Sequence, residues 1–297
     1  MTIGARDPHF LKGAFFIASA GVLASLSGVF FRQVEHASDW QIIFWRSGTM
    51  ALCLLALVAV LNRGRVVAAF RAAGLPGLVA GLLLGASNVT YSLSIIHTTV
   101  ANTLFIQGVS PFLAALLAWL VLKERVTRAT LVAMVVALMG VGVMVGEGLG
   151  AGHLYGNAMA LLSAAVNAAF VVALRFGRGA DMLPSVAIAG FTGALAAFLV
   201  QGGDVAVSPH DALMGIIMGA VPMSMSLRLL TLGARYVPAA PATLIQLSET
   251  VCGPVWVLLA YGEKPALLTL LGGVFVLSAI AGLALWSMRR GTVTGTA

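Results

Sequence analysis

Glu249 is the residue whose chemistry is hardest to account for. It stands in "TLIQLSETVCGPVW" (243–256), and no other formal charge occurs between Pro238 and Glu263. An acid in so apolar a segment is a functional-site candidate by default, because its desolvation is costly. It has three functional chemistries open to it: binding a substrate ammonium group, carrying a proton, or staying protonated and donating a hydrogen bond. The structural alternative is an ion pair with Arg46 or Arg228, the two basic residues that also fall inside apolar runs. Gln246 precedes Glu249 by three residues and shares its helix face. In an earlier apolar run Thr103, Gln107 and Ser110 recur at i, i+4 and i+7, again one face. Ser87, Asn88, Tyr91 and Ser94 form another polar stripe. Pro222, Ser224, Met225 and Arg228 are its counterpart later in the chain, and Ser19, Ser27 and Asn167 come from the first apolar runs of the two halves.

Polar groups at this depth normally face a bundle interior or a watery cavity. The substrate-binding candidates are therefore Asn88, Tyr91, Thr103, Gln107, Ser110, Asn167, Ser224, Met225, Gln246 and Glu249, with Glu249 also the candidate for proton coupling. Arg46, Arg228, Pro111, Pro222 and Pro254 are the structural or gating candidates. A plainer role is open to each polar side chain: linking helices by hydrogen bonds of about 0.6–2 kcal/mol. Tyr91 either stacks on an aromatic substrate or fills the core.

Catalysis has little to work with. All five histidines (His9, His36, His97, His153 and His210) and every aspartate fall at the ends of apolar runs or between them. There is no Gly-x-Ser-x-Gly elbow, HExxH or phosphate-binding lysine loop. The reading is a non-enzyme without cofactor or metal. Cys53 and Cys252 lie within apolar runs and read as core residues.

The elements that must position these residues are membrane spans. Of the 297 residues 60% are hydrophobic and 9% charged, with a mean hydropathy of +1.02, against roughly a quarter charged in soluble domains. Runs of about 20 apolar residues predict ten spans: 10–31, 40–61, 75–96, 99–121, 127–146, 154–175, 184–201, 211–233, 239–261 and 266–287. The fold class expected is an all-α polytopic membrane protein. With the N-terminus inside, the inner segments hold Arg6, Lys12, Arg63, Arg65, Arg71, Lys123, Arg125, Arg128, Arg175, Arg178, Arg235, Arg289 and Arg290, and the outer loops only Arg32 and Lys264. That bias follows the positive-inside rule and places both termini in the cytoplasm. The net charge of +7 is thus mostly a topology signal, and no soluble basic face exists for nucleic acid.

The two halves echo each other. "ANTLFIQGVSPFLAALLAWLVLKER" (101–125) aligns with "APATLIQLSETVCGPVWVLLAYGEK" (240–264), pairing Gln107 with Gln246 and Glu124 with Glu263. "GLLLGA" (81–86) matches "GIIMGA" (215–220), while Gly13 and Arg32 match Gly156 and Arg175. The expected domains are 1–148 and 149–297, five spans each. Five is odd, so the second half enters the membrane inverted. Inverted repeats are a recurring transporter design with the substrate site near mid-membrane.

At these residues the chain resembles the drug/metabolite transporter superfamily, EamA type. "TTVANTLFIQGVSPFLAALLAWLVLKERV" is similar to that family's fourth helix, and "GVFFRQVEHASDWQIIFWRSG" to its first loop and second helix. The resemblance covers about residues 10 to 287. It implies ten helices in the bacterial inner membrane, cytoplasmic termini, and alternating-access export of small metabolites. Within that superfamily the chain looks most like YddG-type exporters of aromatic and other amino acids. The runner-up is a proton-coupled multidrug or other metabolite exporter of the same superfamily. One departure is that Glu249-Thr250 stands where the family often reads Glu-Pro, with proline delayed to Pro254. The expected cavity is lined by spans 1, 3, 4, 6, 8 and 9, with spans 5 and 10 peripheral. Partners are the small-molecule substrate, the bilayer and, through those peripheral spans, a second subunit; a monomer is equally open.

Overall fold

A computed structural model describes residues 8–123, 126–150, 153–176, 183–233, 236–237 and 239–290. Glu124, Arg125, Arg178 and Arg235 lie outside them. The described residues are helical, without strand. Among the described residues ten helices are long and apolar enough to cross a membrane: span 1 (His9–Arg32), span 2 (Asp39–Leu61), span 3 (Val66–His97), span 4 (Val100–Leu122), span 5 (Arg128–Val145), span 6 (Leu154–Ala173), span 7 (Leu183–Val200), span 8 (Pro209–Gly233), span 9 (Leu244–Tyr261) and span 10 (Leu267–Trp286). The chain is an all-α, multi-pass membrane protein. In a bilayer core only closed backbone hydrogen bonding survives, which is why the apolar runs and the helices coincide.

Within Val66–His97 a short first helix is set off at Gly74 (φ 58°, ψ −159°), and the long helix starts at the expected residue 75. That backbone conformation needs glycine, and Pro76 then sits in the first turn of the new helix. Three further spans are interrupted. Span 1 is broken at Leu26, between Pro8–Ser25 and Ser27–Arg32. Span 4 is broken at Gly108 and Val109, because Pro111 has no N–H for the Gln107 carbonyl. Span 8 carries a π-helical turn, Gly219–Met225, around Pro222.

Small residues set the packing. Gly81 and Gly85 let span 3 lie on span 7, where a Cβ would come 2.6 Å from Ile188 and from Thr192. Gly215 lets span 8 lie on span 2, where a Cβ would come 2.6 Å from that of Trp45, and Gly219 fits directly over the Arg46 carbonyl. Both glycine pairs therefore act as close-approach faces. Spans 2 and 7 pack on each other, as do 5 and 10, 3 and 6, 1 and 8, 1 and 9, and 4 and 6. Exchanging the first five spans for the last five leaves this set of neighbours unchanged.

With ten spans, the first and last described residues, 8 and 290, lie at one end of the bundle, here the terminus end. The far end is tied down by polar contacts. Asp211 is fully buried and accepts from the backbone N–H groups of Glu35 (2.9 Å), His36 (3.0 Å) and Ala37 (2.9 Å), fixing the first loop to the start of span 8. Arg32 Nε donates to Glu263 (2.8 Å), and its other nitrogens donate to the Ile95 (2.9 Å) and Thr98 (2.8 Å) carbonyls. Glu263 also accepts from Val100 N–H at 3.0 Å. Below this clamp Phe31, Ile42, Ile95, Val100, Leu104 and Val257 belong to one buried cluster.

Candidate functional site

A cavity of about 580 Å3 lies within the bundle, inside the size range of small-molecule sites, roughly 300–1,000 Å3. Span 3 contributes Ser87, Asn88 and Tyr91, and span 4 contributes Leu104, Gln107, Gly108, Ser110, Pro111 and Ala114. Asn167 and Val171 enter from span 6, Met223 from span 8, and Gln246, Leu247, Glu249 and Thr250 from span 9. Tyr91 and Leu104 close it toward the far end, while Ala114, Val171 and Ile280 carry it toward the terminus end.

Of the ten binding candidates, seven meet here: Asn88, Tyr91, Gln107, Ser110, Asn167, Gln246 and Glu249. Thr103 does not. It is fully buried, and its hydroxyl bonds to Ser94 Oγ (2.8 Å) and the Thr99 carbonyl (3.2 Å), where spans 3 and 4 converge. Ser224 turns its hydroxyl back on the Gly219 carbonyl at 2.8 Å, five residues away, the spacing of a π turn. Met225 is 52% exposed on the outside of the bundle. The wider π turn advances the register, so Met223 faces the cavity in place of Met225. Arg228 lies toward the terminus end, partly exposed and away from the cavity.

Glu249 is central to the chemistry. Among the described residues its carboxylate has neither an ion pair nor a hydrogen bond, so the alternative of pairing with Arg46 or Arg228 is not what the structure holds. Among the described lining residues no cationic side chain accompanies it. The other polar groups are amides and hydroxyls. Asn167 Nδ2 donates to Ser110 Oγ at 3.0 Å, joining two candidates. Gln107 Oε1 is buried without a partner among the described residues, an acceptor at the cavity wall. Pro254 sits within the unbroken helix Ala239–Tyr261. Having no N–H, it cannot serve the carbonyl four residues earlier. That carbonyl belongs to Thr250, at the cavity edge.

Arg46 stands one layer behind the wall, 1% exposed. Its Nη1 donates to Ser92 Oγ (2.7 Å) and its Nη2 contacts Met223 Sδ (3.1 Å). The guanidinium stacks over Phe31 (5.6 Å) and Tyr91 (5.9 Å). It therefore sets the positions of Tyr91 and Met223 and does not reach the cavity itself.

Sequence reasoning missed several lining residues. Met223 and Thr250 adjoin named candidates, and Ser87 belonged to the polar stripe of span 3. Ile280 carries no polar signal, and it brings span 10 to the cavity where that span was expected to be peripheral. Span 5 does stay behind span 10: a Cβ on Gly140 or Gly272 would lie 2.5 Å from the other's carbonyl oxygen.

Residues 11–146 match the sequence model of the EamA-like transporter family, a stretch somewhat under half of the chain. No curated protein sequence matches the chain. A solved structure described as "Crystal structure of protein" superposes with a TM-score of 0.65 at 15% identity, over 93% of this chain and 98% of that one. At that identity the likeness concerns the fold.

Proposed function

We propose, from a first half that matches the EamA-like transporter family, that the chain exports amino acids with aromatic or other apolar side chains by alternating access. The observation that carries this reading is Glu249, a carboxylate without a partner among the described residues, set among carboxamides at the cavity wall. A carboxylate without a neighbouring cation attracts an ammonium group. Asn88, Asn167, Gln107 and Gln246 offer N–H and C=O groups to a substrate carboxylate and its surroundings. Tyr91, Leu104 and Met223 give the wall beside these groups its apolar surface.

Alternating access is supported by the set of neighbouring spans that survives exchange of the halves 1–148 and 149–297, which we read as inverted repeats. In the orientation set by the Lys and Arg bias, the clamp at Arg32 and Glu263 closes the periplasmic side of a bacterial inner membrane. The cavity then faces the cytoplasm, the loading side for an exporter.

One observation also favours a second reading. A single acid without a neighbouring cation suits an organic cation as well as a zwitterion, the specificity of a multidrug exporter. The test is counterflow of labelled phenylalanine in vesicles, against amino acids and quaternary ammonium compounds, with and without a pH gradient. Competition by leucine and tryptophan supports amino acid export. Competition confined to organic cations selects the second reading, and dependence on the gradient that Glu249→Gln abolishes assigns proton coupling to Glu249.

A further inference from the structure

A second hollow, of about 180 Å3, adjoins the main cavity on the side of span 1. Asn88, Met223, Gln246 and Glu249 line both. Beyond these four the wall changes character. Met50, Leu84, Val186, Leu227 and Leu230 supply aliphatic and thioether surface, and the small side chains of Ala20 and Ala24 leave room. Ser226 is the one polar side chain lining this hollow alone among the described residues, and its hydroxyl is turned to the Pro222 and Met223 carbonyls. The wall is backed by packing, since Met50, Leu84, Val186, Met223 and Leu227 belong to one cluster that includes Leu54 and Ala187.

Whole ligand sites run to about 300 Å3 or more. A hollow of 180 Å3 is too small for a separate ligand and suited to one apolar group. Its mouth is a carboxylate and two carboxamides, shared with the larger space. We infer that this hollow is the side-chain subsite of the transported molecule. The ammonium group sits at Glu249, the remaining polar groups stay among the amides of the main cavity, and an aromatic or branched apolar group enters between Met50, Leu84, Val186 and Leu227. The thioethers of Met50 and Met223 adapt their shape and contact aromatic rims favourably. Arg46 holds Met223 in place at the mouth through its sulfur. The inference rests on the proposed function of the main cavity and adds where selectivity for size is decided.

The test uses the purified full chain and the rise in unfolding temperature with ligand concentration, which requires no labelled substrate. The ligands are phenylalanine with alanine, tryptophan with phenylalanine, and phenethylamine with ethylamine. Val186 and Leu227 line the hollow and not the main cavity. Val186→Phe fills it and Leu227→Ala enlarges it. In Val186→Phe the preference for the larger member of each pair falls by about tenfold or more, the range of discrimination an apolar pocket provides. In Leu227→Ala the preference for tryptophan over phenylalanine rises. If Val186→Phe does not fold, the second variant decides. Size preference unchanged in the variants, or a wild type that does not favour phenethylamine over ethylamine, overturns the subsite. If the amines obey this pattern and the amino acids do not bind, the subsite stands and the amino acid reading falls.

Discussion

Replacing Glu263 with alanine should unlock the far end of the bundle. Its carboxylate holds Arg32 Nε at 2.8 Å and Val100 N–H at 3.0 Å. Through Arg32 it also reaches the last carbonyls of span 3 at Ile95 and Thr98. Four spans thus meet at one ion pair, where span 4 offers an unpaired N-terminal donor and span 3 unpaired C-terminal acceptors. Hydrogen bonds to charged groups are worth about 1.5–3 kcal/mol when shielded, while exposed pairs contribute about 0–1 kcal/mol. The two side chains are 24% and 21% exposed, between these limits. Two such bonds then amount to about 2 kcal/mol. At about 1.4 kcal/mol per tenfold, the balance between closed and open far ends shifts by about 30-fold. The assay places a single cysteine at Leu104, 5% exposed beneath the clamp, in a chain with Cys53 and Cys252 replaced by serine. A membrane-impermeant maleimide added from the far side should label it about 30-fold faster in Glu263→Ala. A rate within twofold of the parent, in a protein that remains folded, would refute the reasoning.

Glu249→Gln keeps the shape of the side chain and removes its charge; the protein should fold with an unchanged unfolding temperature and lose most transport. Wild-type rates in reconstituted vesicles would remove Glu249 from the pathway. Arg46→Ala should lower stability by about 2–3 kcal/mol, the loss of a hydrogen bond to a charged group and of stacking on two rings; an unshifted unfolding temperature in detergent counts against its positioning role. Gly219→Leu places a side chain against the Arg46 carbonyl and Thr49, and the overpacking should cost about 1–3 kcal/mol, measured in the same way. Cysteines at Thr127 and Lys264 should be labelled from opposite sides of the membrane, and labelling from one side would end the inverted-repeat proposal.

Much of the molecule was legible without coordinates. Ten spans and their approximate ends follow from the solvent, because lipid leaves a chain no option but long apolar helices. The glycines at 81, 85, 215 and 219 stood out in the sequence as matching positions of the two halves, and the packing shows them where only small residues let helices touch. Residues such as Gln107, Gln246 and Glu249 were legible as a group because a polar atom in hydrocarbon must face something wet or bonded.

Tertiary structure decided the rest. Thr103 has the right period for the cavity and the wrong height, and only the convergence of spans 3 and 4 shows that it bonds to Ser94. Met225 and Ser224 were misplaced because helical periodicity assumes an unbroken α-helix, and the π turn at Gly219–Met225 brings Met223 inward. The far-end clamp joins Arg32 to Glu263 across 231 residues, a separation no local pattern encodes. Patterns along one chain report what each helix needs from its surroundings. Which neighbour meets that need is settled only when helices distant in sequence pack together, and that choice left the Glu249 carboxylate at the cavity without a partner among the described residues.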